Sequence, residues 1–244
     1  MALLECRGVG MRFGGAVALY NVDVSARAGA ITGLIGPNGA GKTTLFNCIT
    51  GLLQPTSGVI ELEGREITGL APFKRARWGV ARTFQRLELF TSLSVRENIR
   101  VAGDIRNRWA RGARVDPRAE TDHVLQLLGL TALADRDVAE IPTGMARRVE
   151  MGRALMTRPK ILLLDEPASG QDERETEEFG ELLLHLCDEG TAILLVEHDV
   201  SLVMKVCSLI QVLDFGSIIA AGTPAEIQTD QAVLDAYLGE EQKA

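Results

Sequence analysis

The sequence has 244 residues, of which 46% are hydrophobic and 24% charged, a composition typical of a globular protein with an ample core. Its formal net charge of −7 gives no support for a nucleic-acid partner, because such partners usually require a basic face. No apolar run approaches the roughly 18 residues needed to span a bilayer, the N-terminus lacks a signal-peptide pattern, and the scattered cysteines lack metal-ligand spacing, so we expect a cytoplasmic protein with reduced core thiols.

The first part of the chain, up to about residue 70, is rich in strand patterns. Apolar residues predict strands at 16–19 and 22–24, and the short apolar run 31–35 predicts a buried strand. A helix is predicted to begin at Thr43. Residues 59–64 predict a hairpin whose turn is the Glu-Gly pair at its end.

The middle of the chain, from about residue 86 to 158, has a different composition. Arginine-rich segments with helical periodicity dominate it, among them 96–100 and 122–128. The arginine-rich stretch 106–117 also contains glycine and proline, which predicts a solvated helix end or a loop.

Strand and helix patterns alternate again after residue 159. Apolar strands and the helices between them are followed by a hairpin, a last strand and short surface helices at the C-terminus. The predicted strands are 161–164, 192–196, 210–213 and 217–220, the helices lie near 173–188 and 200–206, and the hairpin turn is around 214–216.

This order of elements predicts an α/β fold with a mostly parallel sheet, an N-terminal antiparallel β subdomain and an inserted helical subdomain. We expect a single domain over residues 1–244. Its core lobe would be formed by 1–85 and 159–244, and the helical subdomain by about 86–158.

Residues 36–43 match the pattern G-x-x-x-x-G-K-[ST] of a phosphate-binding loop, with a predicted strand before them and a helix after them. In such a loop the backbone N–H groups turn towards an anion, and the helix N-terminus adds partial positive charge. Lys42 would reach the β- and γ-phosphates, and the Thr43 hydroxyl would ligate Mg²⁺. The sequence therefore predicts that the chain binds a nucleoside triphosphate. The candidate nucleotide-binding residues here are Gly36, Pro37, Asn38, Gly39, Ala40, Gly41, Lys42, Thr43 and Thr44.

Two acidic residues follow the apolar run 161–164, which has the character of a central parallel strand. We expect Asp165 to hold Mg²⁺, directly or through water, and Glu166 to polarise the attacking water. A strand that simply ends in acidic surface residues is the alternative. The phosphate loop upstream favours the functional interpretation.

His198 follows another apolar strand, and it is one of only three histidines in the chain. A lone histidine is more often structural than catalytic, and His123 and His185 fall within helical patterns. Because His198 lies at a strand end like that of Asp165 and Glu166, we expect it to donate a hydrogen bond to the γ-phosphate.

The phosphate loop, Gln85, Asp165, Glu166 and His198 have an order and spacing that resemble those of the nucleotide-binding subunit of ABC transporters. The resemblance covers essentially the whole chain. Within that family the sequence is most similar to the ATPase subunits of branched-chain amino acid importers. The stretches that carry this second similarity are 12–15, 81–85, 93–98 and 212–216.

The resemblance implies roles for further residues. Phe13 would stack on adenine; the alternative is that its side chain packs in the core. Gln85 would meet Mg²⁺ or the water and would link the ATP site to the helical lobe. Its neighbours 86–90 would line the groove that receives a coupling helix of a transmembrane partner. Asp172 would lie at the interface between two ATPase subunits.

The resemblance also implies cofactors and partners. ATP and Mg²⁺ would be bound, and ATP hydrolysis would drive transport through separate transmembrane permease subunits at the inner face of the cell membrane. An extracytoplasmic solute-binding protein would take part indirectly. Branched-chain or other small hydrophobic amino acids are the cargo that the resemblance suggests.

One motif departs from the family pattern. The signature of the family usually reads Leu-Ser-Gly-Gly-Gln, and in a head-to-tail pair the signature of one subunit closes over the ATP of the other. Pro142, which is aligned with the serine of the signature, has neither a hydroxyl nor an N–H. Thr143 carries a hydroxyl, but it lies one position after that of the serine. Gln171 is a second departure, because the family commonly has leucine there. The residues aligned with the signature are Ile141, Pro142, Thr143, Gly144 and Met145.

Two interpretations of this departure remain open. A lost hydrogen bond to a charged group, worth ~1.5–3 kcal/mol, would weaken closure by about ten- to a hundredfold. Alternatively, Thr143 performs the same task with a shifted loop. Because Glu166 and His198 are intact, the first interpretation predicts an asymmetric pair with a different ATPase subunit.

Rival functions share part of this pattern. An exporter or a lipid-extraction system would use every one of these ATPase motifs. A soluble ABC-type ATPase acting on ribosomes or DNA usually has two cassettes in one chain or a long coiled-coil insertion. A P-loop kinase is disfavoured, because Glu166 directly after Asp165 suits attack by water better than transfer to an acceptor.

Overall fold

The computed structural model describes residues 2–109 and 116–241, which form two sheets and nine α-helices. The strands are β1 Leu4–Phe13, β2 Ala16–Ala26, β3 Ile31–Ile35, β4 Ser57–Leu62, β5 Arg65–Glu66, β6 Val80–Arg82, β7 Ile161–Asp165, β8 Ala192–Val196, β9 Leu209–Asp214 and β10 Ser217–Gly222. The helices are α1 Lys42–Thr50, α2 Pro72–Trp78, α3 Val95–Trp109, α4 Pro117–Leu127, α5 Thr143–Leu155, α6 Glu173–Asp188, α7 Val200–Val206, α8 Pro224–Thr229 and α9 Gln231–Glu241.

The larger sheet has the strand order β10-β9-β3-β8-β7-β6, and every neighbouring pair in it is parallel except β9 with β10. Each residue of β3, β7 and β8 is buried, which explains why these strands read as unbroken apolar runs. Because the parallel strands all end at the same edge of the sheet, the loops that follow β3, β6, β7 and β8 meet there.

The smaller sheet is antiparallel, with the order β2-β1-β4-β5, and it covers one face of the larger sheet. Its apolar face packs on α1 and on β3, β7 and β8 to form one core, which includes Phe46 and Ile60. A second core lies on the opposite face, where α3 to α7 pack. The phosphate loop between β3 and α1 is therefore held from both sides.

Helices α3, α4 and α5 fall within the stretch 86–158 that was predicted to be helical, and α3 packs on both α4 and α5. The stretch 106–117 was predicted to be a solvated helix end or a loop, and this prediction was wrong for its first residue. Arg106 belongs to α3, is buried, and donates to both carboxylate oxygens of Glu120 at 2.9 and 2.5 Å and to the Met156 carbonyl at 2.7 Å. Gly112 of that stretch lies outside the described residues.

The α/β class, the mostly parallel sheet and the antiparallel N-terminal sheet are confirmed. The two strands predicted at 16–19 and 22–24 are one continuous strand, β2, in which Asn21 has a positive φ of 50°. Helix α2 and the three-residue strand β6 were not predicted. Within the described parts of the chain, no helix combines the length and apolar character needed to cross a bilayer.

Candidate functional site

The loop between β3 and α1 has the backbone shape of a phosphate cradle. Gly36, Gly39 and Gly41 have φ angles of 147°, 80° and 111°, values that residues with a Cβ atom rarely adopt. Lys42 is buried and its ammonium donates to the carbonyl oxygens of Gly36 and Pro37, the latter at 2.9 Å. The charged side chain thus lies across the loop that would receive the phosphates.

The N-terminus of α1 has the features that an anion needs. Gly41 precedes the helix, no side chain caps the helix N-terminus, and its first turn contains no acidic residue. The first N–H groups of a helix lack intrahelical partners, and the helix dipole favours negative charge at this end. Asn38, Gly39 and Thr43 are exposed, whereas Thr44 is half-buried and Pro37 and Ala40 are buried. The residues present therefore fit a bound phosphate chain.

The hairpin between β9 and β10 supports this loop from behind. A Cβ atom added to Gly36 would lie 1.8 Å from the carbonyl oxygen of Leu213, so this position excludes any side chain. On the same side, the Gly216 N–H donates to the Ala40 carbonyl at 2.9 Å. The hairpin was predicted from the sequence, but its contact with the phosphate loop was not.

Gln85, Glu166 and His198 come together from three different loops. One carboxylate oxygen of Glu166, Oε1, lies 2.7 Å from His198 Nε2, and the other, Oε2, accepts from Gln85 Nε2 at 3.1 Å. The Glu166 side chain is 19% exposed and that of His198 48% exposed, so the group is open to solvent on one side. The three candidate catalytic side chains therefore contact one another directly.

The backbone at Glu166 has an unusual conformation. Its φ angle is 51°, in the left-handed region that residues other than glycine seldom adopt. Its N–H donates to the Val196 carbonyl of the neighbouring strand at 2.9 Å. Such conformations cost free energy and concentrate at functional sites, where surrounding contacts maintain them. The turn after β7 is thus shaped to aim the Glu166 side chain towards His198.

Asp165 is almost fully buried at the end of β7, and it is paired with a residue whose role the sequence did not reveal. Arg82 Nη2 donates to Asp165 Oδ2 at 2.8 Å, and Arg82 Nη1 donates to Asn47 Oδ1 of α1 at 2.6 Å. The guanidinium also lies over the rings of Phe46 and Phe84, at 5.3 and 5.0 Å from their centroids. Arg82 therefore links the acidic strand end to the helix of the phosphate loop.

Glu197 is a second buried residue that sequence analysis did not assign. It accepts from the backbone N–H groups of Ala168 at 2.7 Å and of His198 at 3.1 Å. Burial raises the pKa of this carboxyl above its ordinary value, while the two N–H groups act in the opposite direction. The available signal was its position directly after a buried strand, the same pattern that pointed to Asp165 and Glu166.

The segment that contains Gln85 is attached to helix α5. Arg147 donates to the carbonyl oxygens of Phe84 and Gln85 at 2.9 and 2.6 Å, and Glu150 accepts from the Phe84 N–H at 3.1 Å. Arg153 donates to the Glu88 carbonyl. Burial raises the pKa of Glu150, and nearby arginines and the Phe84 N–H oppose that shift.

A cavity of about 340 Å³ opens beside this segment. Apolar and aromatic side chains dominate its lining, and charged groups of α5 lie at one side. Of the stretch 86–90, Glu88 contributes to the cavity, while Phe90 lies under the Arg153 guanidinium at 4.6 Å. Its lining includes Phe84, Glu88, Ile105, Trp109, Glu150 and Arg153.

The aligned signature residues do not form a free loop. Pro142 is the N-cap residue of α5 without a side-chain cap, and Thr143 is the first residue of the helix; both are exposed. Gly144 is buried, and a Cβ added to it would lie 3.5 Å from Gln171 Cγ. Met145 packs half-buried against the second core.

Asp172 and Phe13, which were expected at the subunit interface and at adenine, are both exposed. Asp172 is the N-cap of α6 and accepts from the Glu175 N–H at 2.8 Å in a capping box. Phe13 ends β1 and is 50% exposed, so its ring is not part of the core.

Comparison with known proteins identifies the family. The model described as "ABC transporter" matches residues 19–169, and one described as "Branched-chain amino acid ATP-binding cassette transporter" matches residues 217–243. This chain belongs to the ABC transporter family. The resemblance found in the sequence is thereby confirmed, and the chain is an ABC ATPase.

Similar proteins span nearly the full length of this cassette or all of it. The high-affinity branched-chain amino acid transport ATP-binding protein BraF of Pseudomonas aeruginosa is 42% identical over 98% of both chains. LivG of Escherichia coli, which has the same description, is 41% identical over 98% of both. The lipopolysaccharide export system ATP-binding protein LptB of Haemophilus influenzae is 31% identical over 100% of both.

Solved structures support the same architecture. A nucleotide-free ATP-binding cassette from an ABC transporter superposes with a TM-score of 0.86 at 29% identity, covering 97% of this cassette and 99% of that chain. A cassette in its ADP conformation gives a TM-score of 0.87 at 30% identity, with 98% and 99% covered.

Proposed function

We propose that this ABC ATPase binds ATP with Mg²⁺ at the phosphate loop and hydrolyses it with Glu166 as general base, to drive uptake of branched-chain amino acids. The observation that carries the catalytic part is the contact of Glu166 with both His198 and Gln85.

Different residues of the cassette would bind the phosphates, the adenine and the Mg²⁺ ion. Backbone N–H groups of the loop and the Lys42 ammonium would hold the phosphates, and Phe13 would stack on adenine. Thr43 and Gln85 would hold Mg²⁺, and Asp165 would hold it directly or through water; the bound ion would neutralise phosphate charge. A hydroxyl, an amide and a carboxylate are oxygen donors of the kind that Mg²⁺ prefers.

Glu166 is oriented for proton transfer by two side chains. Gln85 donates to Oε2, and His198, with a proton on Nε2, donates to Oε1. Held in this way, the carboxylate would accept a proton from the attacking water. When ATP is bound, the Nε2 proton of His198 would be donated to the γ-phosphate in place of Glu166.

Two variants test these roles. Lys42→Ala should weaken ATP binding, because the charge that contacts the phosphates is lost. Glu166→Gln should bind ATP as the wild type does but should not turn it over. Equilibrium binding of a fluorescent ATP analogue and a phosphate-release assay give the two quantities. Equal losses of binding in both variants would contradict the assignment.

The cavity beside Phe84 is the proposed docking site for a transmembrane permease subunit. Its lining combines exposed apolar rings with the charged ends of Glu88 and Arg153, and helix α5 connects it to Gln85. The cassette would therefore work as a peripheral protein on the cytoplasmic face of the membrane. Cross-linking from a cysteine introduced at Ile105 to co-expressed permease subunits tests this surface.

The cargo is proposed from similarity alone, since it would never contact this chain. The relatives named for branched-chain amino acid transport are 41–42% identical over nearly the whole length, and the match at residues 217–243 carries the same description. Uptake of labelled leucine by cells with and without the gene tests it. A solute-binding protein outside the membrane would deliver the cargo.

Lipid export is the second candidate, because the lipopolysaccharide export protein matches the entire chain at 31% identity. Lipid export is the weaker candidate for two reasons. The lipopolysaccharide export protein has a lower identity than the amino acid transport proteins, and residues 217–243 match the model for branched-chain amino acid cassettes. Co-purification distinguishes the two, since the identity of the permease subunit sets the cargo.

We also propose that the cassette pairs head to tail with a different ATPase subunit. Pro142 offers no donor to the partner's ATP, whereas Glu166 and His198 are in contact and complete. Pro142→Ser combined with Thr143→Gly should raise turnover of the assembled transporter, and unchanged turnover would contradict the asymmetry. ATPase activity of the purified chain that climbs with its concentration would instead indicate a homodimer.

A further inference from the structure

Glu197 joins two loops of the catalytic edge that are far apart in the sequence. It follows β8 directly and is only 6% exposed. Its Oε1 accepts from the Ala168 N–H at 2.7 Å, and its Oε2 accepts from the His198 N–H at 3.1 Å. One carboxylate thus connects the turn after β7 to the residue that contacts Glu166.

These two hydrogen bonds close a ring of contacts around the catalytic base. The Glu166 N–H donates to the Val196 carbonyl at 2.9 Å, and the Glu166 side chain contacts His198 Nε2 at 2.7 Å. Together with the hydrogen bond from Ala168 to Glu197, these contacts join the backbone from Glu166 to Ala168 and the backbone from Val196 to His198 at three points, and the hydrogen bond from the His198 N–H to Glu197 holds the second segment internally. Loss of one of the three would allow the two segments to shift relative to each other.

The ring maintains a conformation that the chain would not adopt by itself. Glu166 has a φ of 51°, and left-handed backbone at such a residue persists only where neighbouring contacts enforce it. Glu197 supplies a contact two residues further along, at Ala168. Burying a carboxylate is itself unfavourable, and its raised pKa reflects that cost. A buried group with this cost, beside the base, points to a functional requirement.

We propose that Glu197 is a positioning residue, which fixes the turn after β7 against His198 so that the Glu166 carboxylate and the His198 ring stay in contact. The inference rests on the proposed role of Glu166 as the base. Glu197 itself would touch neither nucleotide nor water and would act through these two residues.

The decisive variant is Glu197→Gln. Its amide oxygen can accept from Ala168 or from His198 but not from both, because the NH₂ group faces a donor at the other position. We expect turnover of the assembled transporter to fall about tenfold, as expected for one lost hydrogen bond to a charged group, while ATP affinity stays within about twofold of wild type. Glu197→Asp, which keeps two acceptors on a shorter stem, should recover part of the loss.

Glu120→Gln is the matched control. Glu120 is a carboxylate largely buried in the helical region, where it pairs with Arg106 and Arg158 away from the catalytic edge. It should lower thermal stability while leaving turnover per folded molecule unchanged. This comparison separates a positioning role from a general loss of stability.

A second readout does not depend on activity. The chain has only three histidines, so ¹⁵N-histidine NMR of the full chain gives few ring signals, and His198→Ala assigns the one of interest. Glu197→Gln should shift the His198 signal and leave those of His123 and His185 unchanged.

The two readouts distinguish the possible failures. An unmoved His198 signal, or wild-type turnover per folded molecule, would overturn the positioning role of Glu197. If Glu166→Gln keeps turning over ATP, the proposed base is wrong, and a shifted His198 signal would still establish that Glu197 fixes the two loops.

Discussion

The hairpin behind the phosphate loop gives a prediction that can be worked out from the structure. In Gly216→Ala the added Cβ would lie 2.7 Å from the Ala18 carbonyl oxygen, in a backbone with a φ of 77°. The same residue donates its N–H to the Ala40 carbonyl of the phosphate loop at 2.9 Å. The substitution should therefore affect both stability and nucleotide binding.

The magnitude has two parts. Left-handed backbone costs a residue with a Cβ about 1–2 kcal/mol. Relief of the close contact with Ala18 requires movement of β2 or of the hairpin, and overpacking of this kind costs about 1–3 kcal/mol. We expect the free energy of unfolding to fall by about 2–5 kcal/mol. Loss of the hydrogen bond to Ala40, worth about 1 kcal/mol, should weaken ATP binding by about fivefold.

Gly64→Ala is the matched control, because Gly64 has a φ of 70° and a Cβ added there meets no atom within 4 Å. It should cost only the backbone part, about 1–2 kcal/mol, and should leave ATP affinity unchanged. Urea unfolding measures the stability of both variants, and titration with a fluorescent ATP analogue measures affinity. If the two variants lose equal stability and bind ATP equally well, the hairpin does not hold the loop and the reasoning is wrong.

Three further predictions concern buried groups. Arg75→Met should lower the free energy of unfolding by about 3–5 kcal/mol, because the fully buried guanidinium donates to four backbone carbonyls. Urea unfolding measures this loss, and Arg77→Met, at an exposed position, is the control. Arg82→Met should cost a similar amount, since it leaves the Asp165 carboxylate buried without its cation, and a loss below about 1 kcal/mol would contradict this. Burial raises the pKa of the Cys6 and Cys207 thiols to about 12, so iodoacetamide at pH 8 should label them in urea-unfolded protein and spare them in native protein; equal labelling rates would refute their burial.

The sequence predicted the features whose chemistry is local. The phosphate loop is a contiguous motif between a strand and a helix, and the burial of both faces of β7 and β8 dictates their apolar runs. Asp165, Glu166 and His198 follow such runs, and each was assigned to the phosphate site on that ground. The structure shows in addition that Glu166 and His198 are in direct contact.

The features that the sequence did not reveal depend on contacts between distant residues. Arg82 and Asp165 lie 83 positions apart, and nothing around Arg82 distinguishes it from a surface arginine. Helix α2 has seven residues and β6 has three, so neither is long enough to show a periodic pattern. Arg106 was expected to be solvated because it begins a stretch that contains glycine, proline and further arginines. Its partner, Glu120, lies beyond that stretch, so the sequence did not reveal the ion pair.

The altered signature and the Gln85 segment belong to one mechanical unit. Pro142 caps the N-terminus of α5, and Arg147, less than two turns along, holds the carbonyl oxygens of Phe84 and Gln85. A helix transmits displacement along its axis, so a shift of the Gln85 segment would be carried to Pro142 whatever side chain stands there. In the proposed head-to-tail pair, replacement of the signature serine would change what this cassette offers to a partner's ATP and would leave its own linkage between the cavity, Gln85 and Glu166 intact. We therefore expect the chemistry of closure and the coupling to the membrane to be separable functions of the same helix.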